Sequence, residues 1–333
     1  MGDNSSIAKK TIYGFDLLKI IMAIMIIAAH THLLEEYDSL AAIRGNIASI
    51  AVPTFMAISA YFFFKKIYKV QKEESTKPIL LKTVKRLALL FLCWYILMLP
   101  MTYVKFFSVA SIKETIFAIF FSCTFNGYWF IKALIINTCI FYLFRNKYSL
   151  IIFTIISWLI YLFFSYNYIY HYIEFPYHPY YSFYYHLAYY SVGVLFARYG
   201  EHILKMYVNR RFILVIWLFL LSLCFFFDCV EPIYRLCSIP LFFVLFYQLK
   251  LEQKPYYKKM RDMSIILYMV QFVLIWIYDG TCDMWLQSDS IIYRVLQYSI
   301  SRFVIVTTVS VSIASIILKY EKYPKLNFLR YLH

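Results

Sequence analysis

The stretch GFDLLKIIMAIMIIAAH, residues 14–30, decides the fold class. The ten residues between Lys19 and His30 are all apolar or alanine. About 20 mainly apolar residues suffice to cross the hydrocarbon core of a bilayer as an α-helix. The stretch therefore predicts a membrane-spanning helix that carries three ionisable side chains, Asp16, Lys19 and His30. Ionisable groups inside a span are costly, and for that reason they usually serve a function.

Helix geometry groups these three side chains. Lys19 and His30 are eleven residues apart, which returns a helix to within about 20° of its starting direction and raises it by about 16 Å. Asp16 precedes Lys19 by three residues, so it lies on nearly the same face and can pair with it. An imidazole normally titrates near neutral pH and suits a general base. A structural interpretation stays open, with an ion pair at a helix end and His30 hydrogen-bonded to a carbonyl.

The rest of the chain has the composition of a membrane protein. Apolar and aromatic residues make up 62% and charged residues 15%, whereas a soluble domain carries about a quarter charged residues. We predict a single all-α transmembrane domain over residues 1–333, with about ten membrane-spanning helices. A further apolar segment, 112–127, is interpreted as re-entrant or interfacial. The predicted spans are 15–34, 47–64, 84–104, 129–145, 149–166, 183–199, 212–228, 232–249, 263–279 and 292–318.

The charge distribution predicts the orientation of these spans. The chain has a formal charge of +15, but its basic residues lie in short loops and no nucleic-acid motif accompanies them. With a cytoplasmic N-terminus, 25 Lys and Arg residues fall in inner segments and five in outer loops. This asymmetry places both termini in the cytoplasm. The first span is expected to be retained rather than cleaved as a signal peptide. No Cys or His spacing predicts a metal site.

Several short motifs follow the first span in a fixed order. The second span reads AVPTFMAISAYF, residues 51–62, and the third opens with a basic cluster. Later helices carry SVGVLF, residues 191–196, and SIILYMVQ, residues 264–271. Together with Asp16, Lys19 and His30, these motifs resemble the acyltransferase-3 family of integral membrane acyltransferases over nearly the whole chain. The single residues that complete the resemblance are Lys82, Lys85, Arg86, Trp129 and Leu134.

The resemblance implies an O-acyltransferase. Such an enzyme moves an acyl group, often acetyl, from cytoplasmic acyl-CoA to a hydroxyl of an extracytoplasmic glycan or lipid-linked sugar. It implies catalytic roles for His30 as general base and for Asp16 and Lys19. A multi-pass protein of a bacterial plasma membrane is expected, with the bilayer, acyl-CoA and a carbohydrate as partners and self-association left open. The implied donor-binding cations are Lys19, Lys82, Lys85 and Arg86. The implied substrate-binding residues are Tyr61, Trp129, Lys132 and Gln271.

Two residues depart from the family pattern. Gln271 stands where many members have a second His, and it can hydrogen-bond but cannot take a proton. Ala60 stands where Gly is usual, which narrows the approach of a backbone or ligand. The Gln271 position is therefore not expected to transfer a proton, and the departures leave two interpretations open: a divergent substrate or a lack of transferase activity.

Other interpretations are also open. A membrane carrier or exporter of a glycan or small solute, without acyl-transfer chemistry, is the alternative function. The basic cluster of the third span also fits plain topology charge. Lys132 and Arg302 could each bind an anionic acceptor or pair with an acidic group on another helix. The segment 166–190 contains eleven Tyr and three His, which suits either a sugar-binding surface or a membrane interface.

Overall fold

The computed structural model of the protein describes most of the chain, and within this part every regular element is a helix. The described residues are 12–70, 76–102, 111, 129–171, 179–205, 209–249, 251–252, 254–285, 295–296, 298–323, 329–330 and 332–333. The α-helices are α1 (Tyr13–His30), α2 (Asp38–Ser49), α3 (Ala51–Ile67), α4 (Lys77–Thr102), α5 (Trp129–Leu143), α6 (Lys147–Tyr170), α7 (Leu187–Lys205), α8 (Arg210–Leu223), α9 (Glu231–Tyr247), α10 (Pro255–Trp285) and α11 (Ser299–Tyr320). Short 3₁₀ helices lie at Pro179–Tyr181, Phe183–His186 and Asp228–Val230.

The all-helical membrane fold agrees with the sequence, and helices overlap all ten predicted spans. Among the described residues, six segments are long and apolar enough to cross a membrane. The count of about ten spans and the orientation of the termini therefore stay predictions, and the segment 112–127 lies outside the described residues. The six segments are Tyr13–His30, Asp38–Ile67, Lys147–Tyr170, Asp228–Tyr247, Pro255–Cys282 and Ser299–Tyr320.

The buried and exposed side chains of helix α6 are distributed as expected for a helix that faces lipid. Its buried residues are mostly small or polar, whereas many of its large apolar side chains point outward. This is the reverse of a helix in water, and it fits a helix whose outer face contacts lipid tails, which are as apolar as Leu. The buried residues are Leu150, Thr154, Ser157, Tyr161, Ser165 and Asn167, and the exposed residues include Ile152, Ile155, Leu159 and Phe163.

Close helix crossings hold the bundle together around α3. This helix packs most extensively against α7, and the crossing depends on Gly193. A Cβ placed there would lie 2.0 Å from the carbonyl oxygen of Ala57 and 2.8 Å from the Cβ of Ala60. Small residues allow such backbone approach between helices in membranes. The sequence predicted that Ala60, in place of Gly, narrows the approach of a backbone or ligand. In the structure, the Ala60 side chain lies next to Gly193 at the contact between α3 and α7.

Helix α1, which carries Asp16, Lys19 and His30, runs parallel to α10. Asp16, near the start of α1, interacts electrostatically with Arg261 near the start of α10. His30, at the other end of α1, contacts Phe272 further along α10. Helix α3 runs in the opposite direction, because Phe15 at the start of α1 packs against Tyr61 near the end of α3. The two ends of α1 thus define two separate layers of the bundle.

Candidate active site

The first layer surrounds Asp16. This side chain is 2% exposed, and its Oδ2 has no hydrogen-bond partner within the described part of the chain. Its strongest electrostatic interactions are with Arg261 and Lys19. Asp16 and Lys19 make no direct ion pair within 4.0 Å, so the carboxylate faces a group of cations rather than one partner. Sequence reasoning missed Arg261, which was counted only among the topology charges.

Lys19 interacts with residues of three other helices, α3, α4 and α10. Its Nζ lies 5.5 Å from the centroid of the Phe62 ring on α3. It interacts electrostatically with Asp16, with Arg261 on α10 and with Arg86 on α4. We call Lys19, Arg86 and Arg261 the cation cluster. Such a cluster can bind an anionic group such as a phosphate.

The three basic residues predicted to bind the donor on α4 differ in their relation to Lys19. Lys82, Lys85 and Arg86 are all exposed, but Arg86 alone is among the strongest electrostatic influences on Lys19. The structure therefore brings one of the three predicted α4 cations to Lys19. It leaves Lys82 and Lys85 on the surface of the same helix.

Tyr61 lies in the first layer, close to the cation cluster. Its ring packs against Phe15, with centroids 5.5 Å apart, and against Phe62 at 5.3 Å. Lys65 donates a hydrogen bond from Nζ to the Tyr61 hydroxyl at 2.8 Å. Any substrate contact of Tyr61 would consequently be made at this end of α1.

The second layer surrounds His30, the last residue of α1. Its ring meets Phe272 edge to face, with centroids 4.8 Å apart. Many protein atoms surround this position, yet the side chain remains accessible. The imidazole is therefore accessible to a ligand at the end of α1. His32 follows with a left-handed backbone, at φ 56°, and it is exposed beside Glu35.

The loop after His30 is fastened to the start of α11. The backbone N–H of Ser299 donates to Glu36 Oε1 at 2.7 Å, and the Ser299 hydroxyl donates to Glu36 Oε2 at 2.5 Å. The N–H of Leu34 donates to the same hydroxyl oxygen at 2.8 Å. A carboxylate at a helix N-terminus satisfies donors that have no partner within the helix. These hydrogen bonds, above all from the Ser299 hydroxyl, hold the pKa of the Glu36 carboxyl below its usual range.

A chain of aromatic rings leads away from His30. Phe272 is followed by Tyr268, with centroids 5.9 Å apart, and Tyr268 is 5.3 Å from Phe130 on α5. Phe130 is 6.4 Å from Trp129. The predicted substrate residue Trp129 therefore connects to His30 through three rings and does not contact it.

Trp129 has a second set of neighbours, from the 3₁₀ helices. It stacks on His186 with centroids 4.7 Å apart and meets Tyr180 at 5.2 Å. The Nε2 of His186 lies 2.6 Å from the carbonyl oxygen of Tyr180. His186 is fully buried, so its ring fixes the Tyr180 turn against Trp129.

The remaining predicted residues occupy different positions. Gln271 is fully buried, and its Nε2 donates to the carbonyl oxygen of Tyr268 at 3.0 Å. Lys132 is half-buried, one turn into α5. Arg302 forms an ion pair with Asp279, 2.6 Å from Nη2 to Oδ2, which favours the structural alternative for this arginine. Within the described ranges, no three His, Cys, Asp or Glu side chains are arranged to hold a metal ion.

The model of the acyltransferase-3 family, described as an acyltransferase domain, matches residues 12–319, nearly the whole chain. The matched region includes both layers and the loop between α1 and α2. No curated protein and no solved structure matches the chain.

Proposed function

We propose, since the chain belongs to the acyltransferase-3 family and is a membrane acyltransferase, that it is an O-acyltransferase of a bacterial plasma membrane. The donor is acyl-CoA, with acetyl as the expected acyl group, bound on the cytoplasmic side. The acceptor is a hydroxyl of a glycan or lipid-linked sugar on the opposite side.

The arrangement of α1 is the observation that supports this proposal most strongly. One end of the helix carries the cation cluster, and the other end carries an accessible imidazole. The helix rises about 16 Å between Lys19 and His30. A donor bound by its phosphates at the first end has to extend through the bundle to bring its thioester to the second end. This separation fits a reaction with its two substrates on opposite sides of a membrane.

The cation cluster is suited to the donor. Guanidinium and ammonium groups form charge-assisted hydrogen bonds with phosphate oxygens, and acyl-CoA carries several phosphates. Asp16 lies beside Lys19 and Arg261, so its charge offsets part of their repulsion when no anion is bound. In this role Asp16 positions the cations and does not contact the donor phosphates.

His30 is suited to the acyl-transfer step. The acceptor hydroxyl oxygen attacks the thioester carbonyl, its proton passes to the imidazole, the C–S bond breaks, and the proton then goes to the leaving CoA sulfur. General-base assistance of this kind typically contributes a factor of about 10² to 10⁴. Transfer through a transiently acylated His30 is a second route, and it requires the same residue.

Mass spectrometry of surface glycans and lipid-linked sugars tests the proposal. Cells with the wild-type protein, a gene deletion, His30→Asn and His32→Asn would be compared at matched protein levels. His32 is the control because it is a neighbouring imidazole that does not belong to the Asp16, Lys19 and His30 motif, and Asn tolerates its left-handed backbone. We expect the acyl mass increment with the wild type and His32→Asn only. Unmodified glycans in all four strains, together with a sugar or solute retained in the deletion strain, would instead support a carrier.

A further inference from the structure

A pocket of about 240 Å³ lies among α6, the 3₁₀ turns and the start of α9. It belongs to the same end of the bundle as His30, because Tyr180 in its wall contacts Trp129 at the start of α5. The lining residues that matter here are Ser165, Tyr168, Tyr180, Tyr185, Glu231 and Arg235.

The aromatic wall of the pocket is fixed in place. The Ser165 hydroxyl donates to the Tyr185 hydroxyl oxygen at 3.0 Å, and the Tyr161 ring meets the Tyr185 ring at 5.0 Å. Tyr161 in turn donates from its hydroxyl to the carbonyl oxygen of Pro232 at 3.1 Å. Tyr180 and Tyr185 lie with ring centroids 5.6 Å apart. The ring faces are therefore held in place before any ligand binds.

The polar wall has a charged donor and a charged acceptor side by side. Arg235 forms an ion pair with Glu231, and their side chains are 19% and 31% exposed. The Nε of Arg235 is buried and has no hydrogen-bond partner within the described part of the chain. The accessible part of the Arg235 guanidinium lines the pocket and can donate to an oxygen atom of a ligand there. The carboxylate of Glu231 is partly exposed, so it can accept further hydrogen bonds from the hydroxyl groups of a ligand.

Aromatic faces beside a paired donor and acceptor match the chemistry of a sugar ring. Such a ring has an apolar C–H face for the tyrosines and hydroxyls that both donate and accept. Pockets for drug-sized ligands measure about 300–1,000 Å³, so this smaller volume suits a single ring. The paired charges of Arg235 and Glu231 favour an uncharged ring over an acidic one.

Packed aromatic rings separate the pocket from His30. Within the described residues, five successive ring contacts join Tyr180 in the pocket wall to the imidazole, by way of Trp129, Phe130, Tyr268 and Phe272. A sugar held here cannot also place its hydroxyl at His30. We propose that the pocket is a distal subsite, which binds a neutral sugar unit of the acceptor next to the unit that is acylated. This inference rests on the proposed function.

A distal subsite affects acceptor affinity more than the chemical step. Tyr168→Ala removes a ring from the pocket, and Tyr170→Ala is the matched control on the same helix, because the two side chains are 52% and 50% exposed and Tyr170 does not line the pocket. Arg235→Lys keeps the charge but removes the guanidinium donor. Loss of an aromatic contact worth about 0.5–1.5 kcal/mol changes binding by about two- to tenfold.

The experiment combines kinetics with direct binding on the full-length protein in lipid nanodiscs. The probe is a mixture of oligosaccharides released from the unacylated surface glycan of the deletion strain. We expect Tyr168→Ala and Arg235→Lys to raise KM for the oligosaccharides about two- to tenfold, with kcat within twofold, and to weaken equilibrium binding equally. Tyr170→Ala should match the wild type. Unchanged KM and binding in the two pocket variants overturn the subsite while leaving the proposed function intact.

The binding measurement also tests the pocket independently of the proposed function. If the wild-type protein transfers no acyl group, the proposed function fails. Oligosaccharide binding that is lost in Tyr168→Ala but kept in Tyr170→Ala still supports a sugar-binding pocket. Equal binding by all variants removes the pocket proposal as well.

Discussion

The rings of His30 and Phe272 meet edge to face, with centroids 4.8 Å apart. The contact joins the end of α1 to the middle of α10, two helices that run parallel through the bundle. Phe272 thereby limits the orientations of the imidazole, since it occupies one side of it. The remaining accessible side of His30 is where an acceptor hydroxyl has to approach.

We therefore expect Phe272→Leu to lower kcat about tenfold with little change in either KM. The substitution nearly conserves volume, so it should cost less than about 1.5 kcal/mol of stability, whereas a small misplacement of a reacting group can reduce the rate by up to about 10²-fold. Steady-state kinetics with acetyl-CoA and extracted glycan measure this. Phe219→Leu on the exposed face of α8 is the control. A Phe272→Leu enzyme with wild-type kcat would show that the contact does not orient His30.

The cation cluster predicts a different kinetic effect. Lys19→Gln should raise KM for acetyl-CoA about tenfold or more, because a hydrogen bond to a charged group contributes about 1.5–3 kcal/mol. Lys19→Arg should restore much of the affinity. Arg86→Gln should have a larger effect than Lys82→Gln or Lys85→Gln, since Arg86 interacts with Lys19.

Lys147→Gln serves as the control for this series, because Lys147 is exposed at the start of α6. Equal effects of Lys147→Gln and Lys19→Gln would mean that the donor responds to overall charge. In that case the cation cluster would not be a donor site.

The crossing of α3 and α7 predicts a stability effect at Gly193. Gly193→Ala forces a Cβ to within 2.0 Å of the Ala57 carbonyl oxygen, and backbone cannot move aside as a side chain can. We expect a loss of about 1–3 kcal/mol or more, seen as a lower melting temperature in detergent. Gly45→Ala is the control, because nothing lies within 4 Å of the added Cβ. Equal melting temperatures for both variants would contradict this packing.

The hydrogen bonds between Glu36 and Ser299 predict a pH effect. Because the pKa of Glu36 is lowered in the folded protein, its contribution to stability is complete above the ordinary Glu pKa of about 4.3. The contribution is lost as the pH falls through the lowered folded value. Glu36→Gln should therefore weaken the acid-side fall in thermal stability. Melting curves at a series of pH values below about 6 measure the difference, and parallel profiles for both proteins would refute it.

The first helix was predictable from local sequence alone. The length of the apolar stretch predicted the helix, and helical spacing placed Asp16, Lys19 and His30 on nearly the same face of it. Helical spacing indicated that Asp16 can interact with Lys19, but it did not reveal the electrostatic interaction of Asp16 with Arg261 of α10. That contact joins residues from distant parts of the chain, and no local period encodes it.

Other parts of the site depend on packing in the same way. Phe272 follows the motif position Gln271 and resembles any other apolar residue of a membrane span, so its contact with His30 had no sequence signal. The tyrosines of 166–190 were recognisable as a cluster. Which of them line a pocket with Arg235 depended on the turn between α6 and α7.

Reconstituted transfer across a membrane tests the central claim most directly. Proteoliposomes would receive acetyl-CoA with a radiolabelled acetyl group on one side, with lipid-linked sugars from the deletion strain in the vesicle membrane and oligosaccharides released from its surface glycan enclosed. We predict label in the sugar fraction with the wild-type protein and with His32→Asn, and none above background with His30→Asn. Equal labelling with His30→Asn, or movement of the enclosed oligosaccharides out of the vesicles without any labelling, would contradict a His30-dependent acyl transfer.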